Sequence, residues 1–333
     1  MSAAAPAEPV HDFSGLVSSM RSTFATGKTK SLAWRKEQLA RLLKAVLDNH
    51  EDITAAIRAD LGGPKIRGFA EMTGAAGGAK LAIKSLDSWA ADEETPGAPV
   101  GGASFLRREP KGVVLIIAPW NYPVTMCLDP LVAALAAGNC VVIKPSEVSS
   151  NAAALIDRIV TDYLDSDCVR VVQGAVAETT ALLAENWDHI MYTGNGAVGR
   201  VVMAAAAKNL TPVTLELGGK SPTYVDSSAK LEHAVKRINW FKWLNVGQTC
   251  VAPDYILVHE EVASEFAAEM KKQVQQWYGA DAVAMKDNPS LGRIISQHHA
   301  SRVGAMLEAT EGEILLGGPS ASPSDKCLHR LCS

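Results

Sequence analysis

No C-x-x-C pair occurs in this sequence, and its six cysteines, at 127, 140, 168, 250, 327 and 332, are scattered. That pattern argues against a zinc ribbon and a disulfide framework, and it reads as free thiols in a reducing, cytoplasmic compartment. The eight histidines show no ligand spacing either, so no metal is expected. A basic excess is also missing. The net charge is −4 with both signs interspersed, which argues against nucleic acid or an acidic membrane surface as partner. Long apolar runs are lacking too: the best stretch, Cys127 to Ile143, is broken by Asp129, Pro130 and Asn139 and is no membrane span. The first residues, M-S-A-A-A-P-A-E-P-V-H-D, carry neither a basic segment nor an apolar core, so no signal peptide is read. No internal repeat is evident.

What remains is a soluble chain of 333 residues, long enough for two domains and a substantial core. Residues 1–12 are rich in Ala and Pro and are expected to be disordered. From Phe13 to about Ala91 the pattern is helical, with Leu39, Leu42, Leu43, Val46 and Leu47 recurring at three and four and a break at Leu61-Gly62-Gly63-Pro64. A Gly/Pro-rich crossing segment follows at 95–108.

Then strand and helix alternate. The buried run Gly112 to Ala118 leads to a helix at Asp129–Ala137, a strand at Cys140–Ile143 and a helix at Asn151–Tyr163. Strands at Val169–Gln173 and His189–Tyr192 flank a helix at Glu178–Glu185, and a helix at Ala197–Lys208 precedes a strand at Val213–Leu217. This alternation predicts a doubly wound, Rossmann-like parallel sheet, which binds ligands beyond the carboxyl ends of its strands. Further elements are expected at Leu231–Trp243, Tyr255–Val258, Ala263–Tyr278, Gly292–Ile295 and His298–Glu308, and at residues 314–318.

Chemistry-bearing stretches sit at those strand ends, and one more lies in a loop ahead of the apolar strand Tyr255–Val258. T-P-V-T-L-E-L-G-G-K-S-P places Glu216 at the end of an apolar strand, just before Gly218-Gly219. G-Q-T-C-V-A-P-D-Y places Cys250 in a loop of small residues. A thiol attacks as thiolate, and a carboxylate in a partly dry cleft serves as base. Paired glycines let backbone approach a ligand closely. Alone, however, a loop cysteine is more often inert and a strand-end Glu more often a solvated rim residue.

Pro119-Trp120-Asn121-Tyr122-Pro123 reads by itself as a turn, although the Asn121 amide could donate to an oxyanion. Lys144 and Glu147 in K-P-S-E read as a solvated face or as ribose ligands. Gly194-Asn195-Gly196-Ala197-Val198-Gly199 fits G-x-G-x-x-G, but on the fourth strand and without an acidic partner twenty residues on, so it is a weak dinucleotide signal. Cys127, Cys140 and Cys168 lie in apolar patterns and are expected in the core. Trp240, Phe241 and Trp243 are core candidates first and tunnel-lining candidates second.

The pair L-E-L-G-G-K-S-P and G-Q-T-C resembles the catalytic signature of the aldehyde dehydrogenase superfamily, and the surrounding wording resembles its class 3, or fatty aldehyde, branch. The resemblance runs from roughly Ser14 to Gly318. It implies an aldehyde dehydrogenase fold, with a doubly wound cofactor domain at 13–216 and an incomplete α/β catalytic domain at 217–318. It implies Cys250 as nucleophile, Glu216 as base and Asn121, with the Cys250 backbone N–H, as oxyanion donors. Lys144 and Glu147 would contact the adenosine ribose. Gly194, Asn195 and Gly199, with Leu217 and Gly218, would complete the binding of NAD or NADP, and Glu147 favours NAD.

The implied reaction oxidises a medium- or long-chain aliphatic, or aromatic, aldehyde to its acid through a thiohemiacetal and a thioester. Family members form homodimers, and some carry a C-terminal membrane anchor. Residues 319–333 resemble no family segment, and an E-I-F-G-P motif whose Glu orients the nicotinamide ribose is not found. On this reading the chain is C-terminally truncated and is expected to be poorly soluble or nearly inactive on its own. Rival readings are an impaired non-enzymatic paralogue and a cofactor-independent thiol esterase.

Overall fold

Five residues in a row, Val113–Ile117, are buried as one strand, β3, and the first unit of the chain is built outward from it. The computed structural model describes residues 11–97, 101–280, 285, 288–317 and 330–332. Four helices come first: α1 (Ser14–Ala25), α2 (Leu32–Asp48), α3 (His50–Leu61) and α4 (Lys65–Ala90). The apolar stripe read in α2 is the buried one, since Leu39, Leu42 and Val46 are fully covered while Leu47 is exposed. β1 (Glu93–Glu94), just ahead of the crossing segment, pairs antiparallel with β2 (Phe105–Leu106) within it.

The alternation then proceeds through β3, α5 (Thr125–Ala137), β4 (Cys140–Lys144), α6 (Ser150–Tyr163), β5 (Val169–Val171) and α7 (Val176–Ala184). It ends with β6 (His189–Gly194), α8 (Gly196–Ala207) and β7 (Val213–Leu217). These strands form one five-stranded sheet in the order β5-β4-β3-β6-β7. The β3–β4, β4–β5 and β3–β6 pairs are parallel. The chain therefore winds one way from β3 to β5, then returns to the other side of β3 for β6 and β7, as a doubly wound sheet does. Ile117 is in register with Lys144 on one side and Tyr192 on the other. The loops leaving these three strands all start at one edge of the sheet.

α5 begins without a local side-chain cap. Its first amides are met instead by Glu71, a buried residue of α4, whose Oε2 accepts from Val124 N at 3.0 Å and Thr125 N at 3.1 Å. A carboxylate at a helix N-terminus answers both the open N–H groups and the helix dipole. Glu71→Gln is expected to lower unfolding stability by about 1.5–3 kcal/mol, the range for hydrogen bonds to a charged group. Urea denaturation monitored by circular dichroism measures it, and an unchanged midpoint would show that the carboxylate charge is not needed there.

A second compact unit comprises Glu51–Ala70, Val148–Ala152 and the described residues from Leu217 onward. It contains α3, β8 (Thr223–Val225), α9 (Leu231–Trp243), β9 (Ile256–Val258), α10 (Glu260–Tyr278) and α11 (Gln297–Glu308). Its core includes Val225, Val235, Ile238, Phe266 and Met270, and a separate cluster of Trp243, Val274, Tyr278, Met285 and Leu291. β8 and β9 pair in parallel.

The element expected at Gly292–Ile295 is neither helix nor strand. Gly292 makes an isolated bridge to Gly62, and Arg293 N donates to Leu61 O at 2.7 Å, so this segment is pinned to the end of α3 as a loop. β10 (Ile314–Gly317) pairs antiparallel with β11 (Arg330–Cys332). The short strand β11 has no counterpart in the sequence reading, because three residues carry no usable periodicity. The N-terminal segment expected to be disordered falls, for residues 1–10, outside the described residues, as does most of the stretch 319–333.

Candidate active site

At the carboxyl edge of the sheet the candidate residues of the first unit can be taken strand by strand. β3 runs into the P-W-N-Y-P loop, where Asn121 and Tyr122 are half-buried and Pro123 is buried. β4 ends on Lys144, which is 4% exposed, and its Nζ lies 2.9 Å from Glu147 Oε2. The two residues assigned separately to a ribose thus face each other as a buried ammonium and a part-exposed carboxylate.

β6 ends on Gly194, and its glycine has a local cause. A Cβ there would overlap the Tyr192 hydroxyl, which is folded under the turn with its Oη donating to Asn195 O at 3.2 Å. Burial raises the Tyr192 phenol above its ordinary pKa, so the hydroxyl stays a donor. Asn195 caps α8, its Oδ1 accepting from Val198 N at 2.9 Å. Gly199, whose N–H bonds Asn195 O at 3.0 Å, is buried within the helix. Both residues build the turn. Glu216 is exposed near the carboxyl end of β7.

In the second unit, Leu217 and Gly218 are exposed, and Gly218 has open space around it. The G-G-K-S turn that follows lies against the Cys250 loop: Ser221 Oγ donates to Cys250 O at 3.4 Å, and Asp254 N donates to Ser221 O at 3.2 Å. The Asp254 carboxylate pairs with Lys220 and, at 3.5 Å, with Lys242. Lys220 first, then Lys242, holds it below the usual carboxylate range against the opposing effect of burial.

The loop leaves α9 through Gly247, whose φ of +77° is open to glycine at little cost. Gln248 then ties it down, its Nε2 donating to Asn245 O and to Arg293 O at 3.0 Å, and its Oε1 accepting from Ile295 N at 3.0 Å. Buried Asn245 returns a bond from Nδ2 to Gln248 O at 3.0 Å. The result is a pinned loop that presents Cys250, the exposed free thiol among the described residues.

Three other thiols behave differently. Cys127, Cys140 and Cys168 are buried, and burial, with Glu71 nearby, pushes the Cys127 thiol up to about 12. A thiol held protonated in apolar surroundings is inert. Trp243 belongs to the core, as expected, whereas Trp240 and Phe241 are exposed at 47% and 56%. Three contributors escaped the sequence reading. Gln248 has no role in the G-Q-T-C pattern by itself, Tyr192 reads only as a strand residue, and Glu71 gives no signal because its partners lie more than fifty positions away. Among the described residues, no cluster of potential metal ligands is present and no helix is long and apolar enough to cross a membrane.

One unit built on a doubly wound parallel sheet with its candidate turns at one edge, and another that presents an exposed thiol on a pinned loop, define an α/β chain of the aldehyde dehydrogenase fold. Residues 2–329 match the aldehyde dehydrogenase family, so the chain belongs to it. That match runs past Gly318, the limit drawn from the sequence alone. The dimeric NADP-preferring aldehyde dehydrogenase of Canis lupus familiaris is 45% identical over 298 residues, which cover 89% of this chain and 65% of that protein. Aldehyde dehydrogenase family 3 member H1 of Arabidopsis thaliana is 44% identical over 312 residues, 92% of this chain and 64% of the relative. The chain therefore spans a little under two thirds of the length of these relatives. Among solved structures, the substrate-bound state of Staphylococcus aureus AldH superposes with a TM-score of 0.90 at 36% identity, covering 96% of this chain and 69% of that one.

Proposed function

We propose that this chain carries NAD(P)-dependent oxidation of aldehydes to carboxylic acids, with Cys250 as nucleophile. The observation that carries the reading is the Cys250 loop: a thiol exposed to solvent on a backbone held by Gln248 and Asn245. A reactive group is most effective when its support is rigid.

The first unit fits a nicotinamide dinucleotide. The Lys144–Glu147 pair offers an ammonium and a carboxylate side by side, a donor and an acceptor for a ribose diol. The N-terminus of α8, capped by Asn195, favours a diphosphate. When bound, the dinucleotide supplies the hydride acceptor. The chain's own residues supply the rest. Cys250 Sγ bonds to the aldehyde carbon, and the oxygen becomes an oxyanion that accepts from Asn121 Nδ2 and the Cys250 N–H. Once that carbon has given up its hydride, the acyl group is a thioester on Sγ. Glu216 takes a proton from water, the resulting hydroxide attacks the thioester, and the acid leaves as the thiolate is restored.

For substrates, medium- or long-chain aliphatic and aromatic aldehydes are the proposal. The Canis relative is named as dimeric and NADP-preferring, which supports a homodimer and use of NADP, while Glu147 beside Lys144 supports NAD through its bonding to a free 2′-hydroxyl. Free, largely buried thiols fit a cytoplasmic setting. The test is formation of reduced cofactor from hexanal with NAD⁺ and with NADP⁺, against hydrolysis of an activated ester without cofactor. Ester hydrolysis alone would refute the dehydrogenase reading.

Lys144→Ala is expected to raise the KM for cofactor by about tenfold, the loss of one charge-assisted hydrogen bond, and to leave the KM for aldehyde unchanged. Steady-state kinetics with each substrate varied in turn reads this out. Equal losses at both substrates would argue against a ribose contact.

A further inference from the structure

A second candidate ligand site lies in the first unit, at the other end of β3 from Asn121. Arg108 and Glu109, just ahead of β3, line a cavity of about 310 Å³ together with Arg35 of α2, Leu86 and Trp89 of α4 and Ala133 of α5. Its walls are mainly apolar, and its volume is at the lower end of the roughly 300–1,000 Å³ that small-molecule sites occupy.

The guanidinium of Arg35 is the unusual feature. Arg35 is 6% exposed, its Nε donates to Thr29 O at 3.1 Å and its Nη1 to Ala136 O at 3.3 Å. No carboxylate among the described residues forms an ion pair with it. Glu109, whose charge acts on Arg35, is engaged by Lys30 at 2.9 Å, and Arg108 is engaged by Glu93 at 2.9 Å. Two of the five guanidinium N–H donors are committed in those two carbonyl bonds. The carbonyl end of α5 and the charge of Glu109 offset part of the buried charge, but a covered cation with no ion-pair partner is costly. Burial accordingly pushes the Arg35 pKa down.

We infer that this cavity binds a monocarboxylate with a short apolar tail, its head on Arg35 and its tail against Leu86, Trp89 and the alanines of α5. A carboxylate matches the planar guanidinium fork and brings one negative charge to one unmatched positive charge. A phosphate dianion would bring an excess charge close to Glu109, and an alcohol would leave Arg35 uncompensated. Acids of this kind are also what the proposed oxidation releases, so the site would sense product. The binding itself does not depend on that reading.

Titration calorimetry of the full chain with octanoate, octan-1-ol and octylamine tests the site without any turnover. Octanoate is expected to bind saturably at one site, and the alcohol and amine at least about tenfold more weakly. Ala133 is exposed on α5, so Ala133→Phe fills the cavity from its rim without disturbing the core. It is expected to weaken octanoate by about tenfold or more while leaving the melting temperature and the alkylation rate of Cys250 unchanged. Octanol binding as tightly as octanoate would remove Arg35 from recognition. Undiminished binding to Ala133→Phe would place the acid elsewhere. Either result, or no binding of octanoate to the unmodified chain, overturns the inference.

Discussion

Replacing Cys250 by alanine is expected to reduce aldehyde oxidation by at least about 10⁴-fold, as removal of a covalent nucleophile does. Esterase activity should fall with it, because both reactions need the same acyl–sulfur bond. Cys127, Cys140 and Cys168 cannot substitute, being buried in the first unit. Cofactor binding should survive, since Lys144, Glu147 and the start of α8 belong to the first unit and Cys250 belongs to the second. The measurement pairs turnover of hexanal with a fluorescence titration of NADH. Turnover retained in the variant would remove Cys250 from the mechanism. Lost turnover with lost NADH binding would point to a folding defect and not to chemistry.

Glu216→Gln is expected to separate the two halves of the reaction. The glutamine keeps the shape of the side chain but cannot take a proton from water. Reduced cofactor should therefore appear in a burst of about one equivalent per thiol, followed by a steady rate slower by about 10²–10⁴-fold, the range assigned to a positioned general base. Glu216 is exposed near the end of an edge strand, so the substitution should leave stability unchanged. Stopped-flow absorbance of the reduced cofactor distinguishes the phases. An unchanged steady rate, or a burst that disappears together with the steady rate, would exclude Glu216 as the deacylating base.

Much of the architecture was legible residue by residue. β3, β4 and β7 are runs of apolar and β-branched side chains, and β7 spans the same Val213–Leu217 read from the sequence. α9 likewise spans Leu231–Trp243 as read. α5 starts four residues earlier than expected, at Thr125 and not Asp129. Its N-terminal start is set by Glu71 on another helix, and a non-local cap leaves no local signature. Lys144 and Glu147 could be picked out as a pair in K-P-S-E, but their mutual contact depends on the turn after β4 and on the burial of Lys144.

The division into two units shows the same limit. The sequence reading separated them at 216 and 217 as a single cut. In the structure, Glu51–Ala70 and Val148–Ala152 also group with the second unit. Arg293 N on Leu61 O and the Asp60 carboxylate on Asn151 and Ala152 make those links. Pairs so far apart along the chain are invisible to any local pattern.

By itself the sequence determined the strand–helix alternation, the place of the turns after β3, β4 and β6 at one sheet edge, and the expectation that Cys127, Cys140 and Cys168 lie in the core. Hydrophobic period and turn residues are local properties, and the chain writes them in consecutive positions. Tertiary structure alone decided that Gln248 pins the loop carrying Cys250, that Gly194 is a glycine because Tyr192 packs beneath it, and that Arg35 is buried with no ion pair among the described residues. Each of these depends on which distant side chains fill the space around a residue, and only the folded chain brings them together.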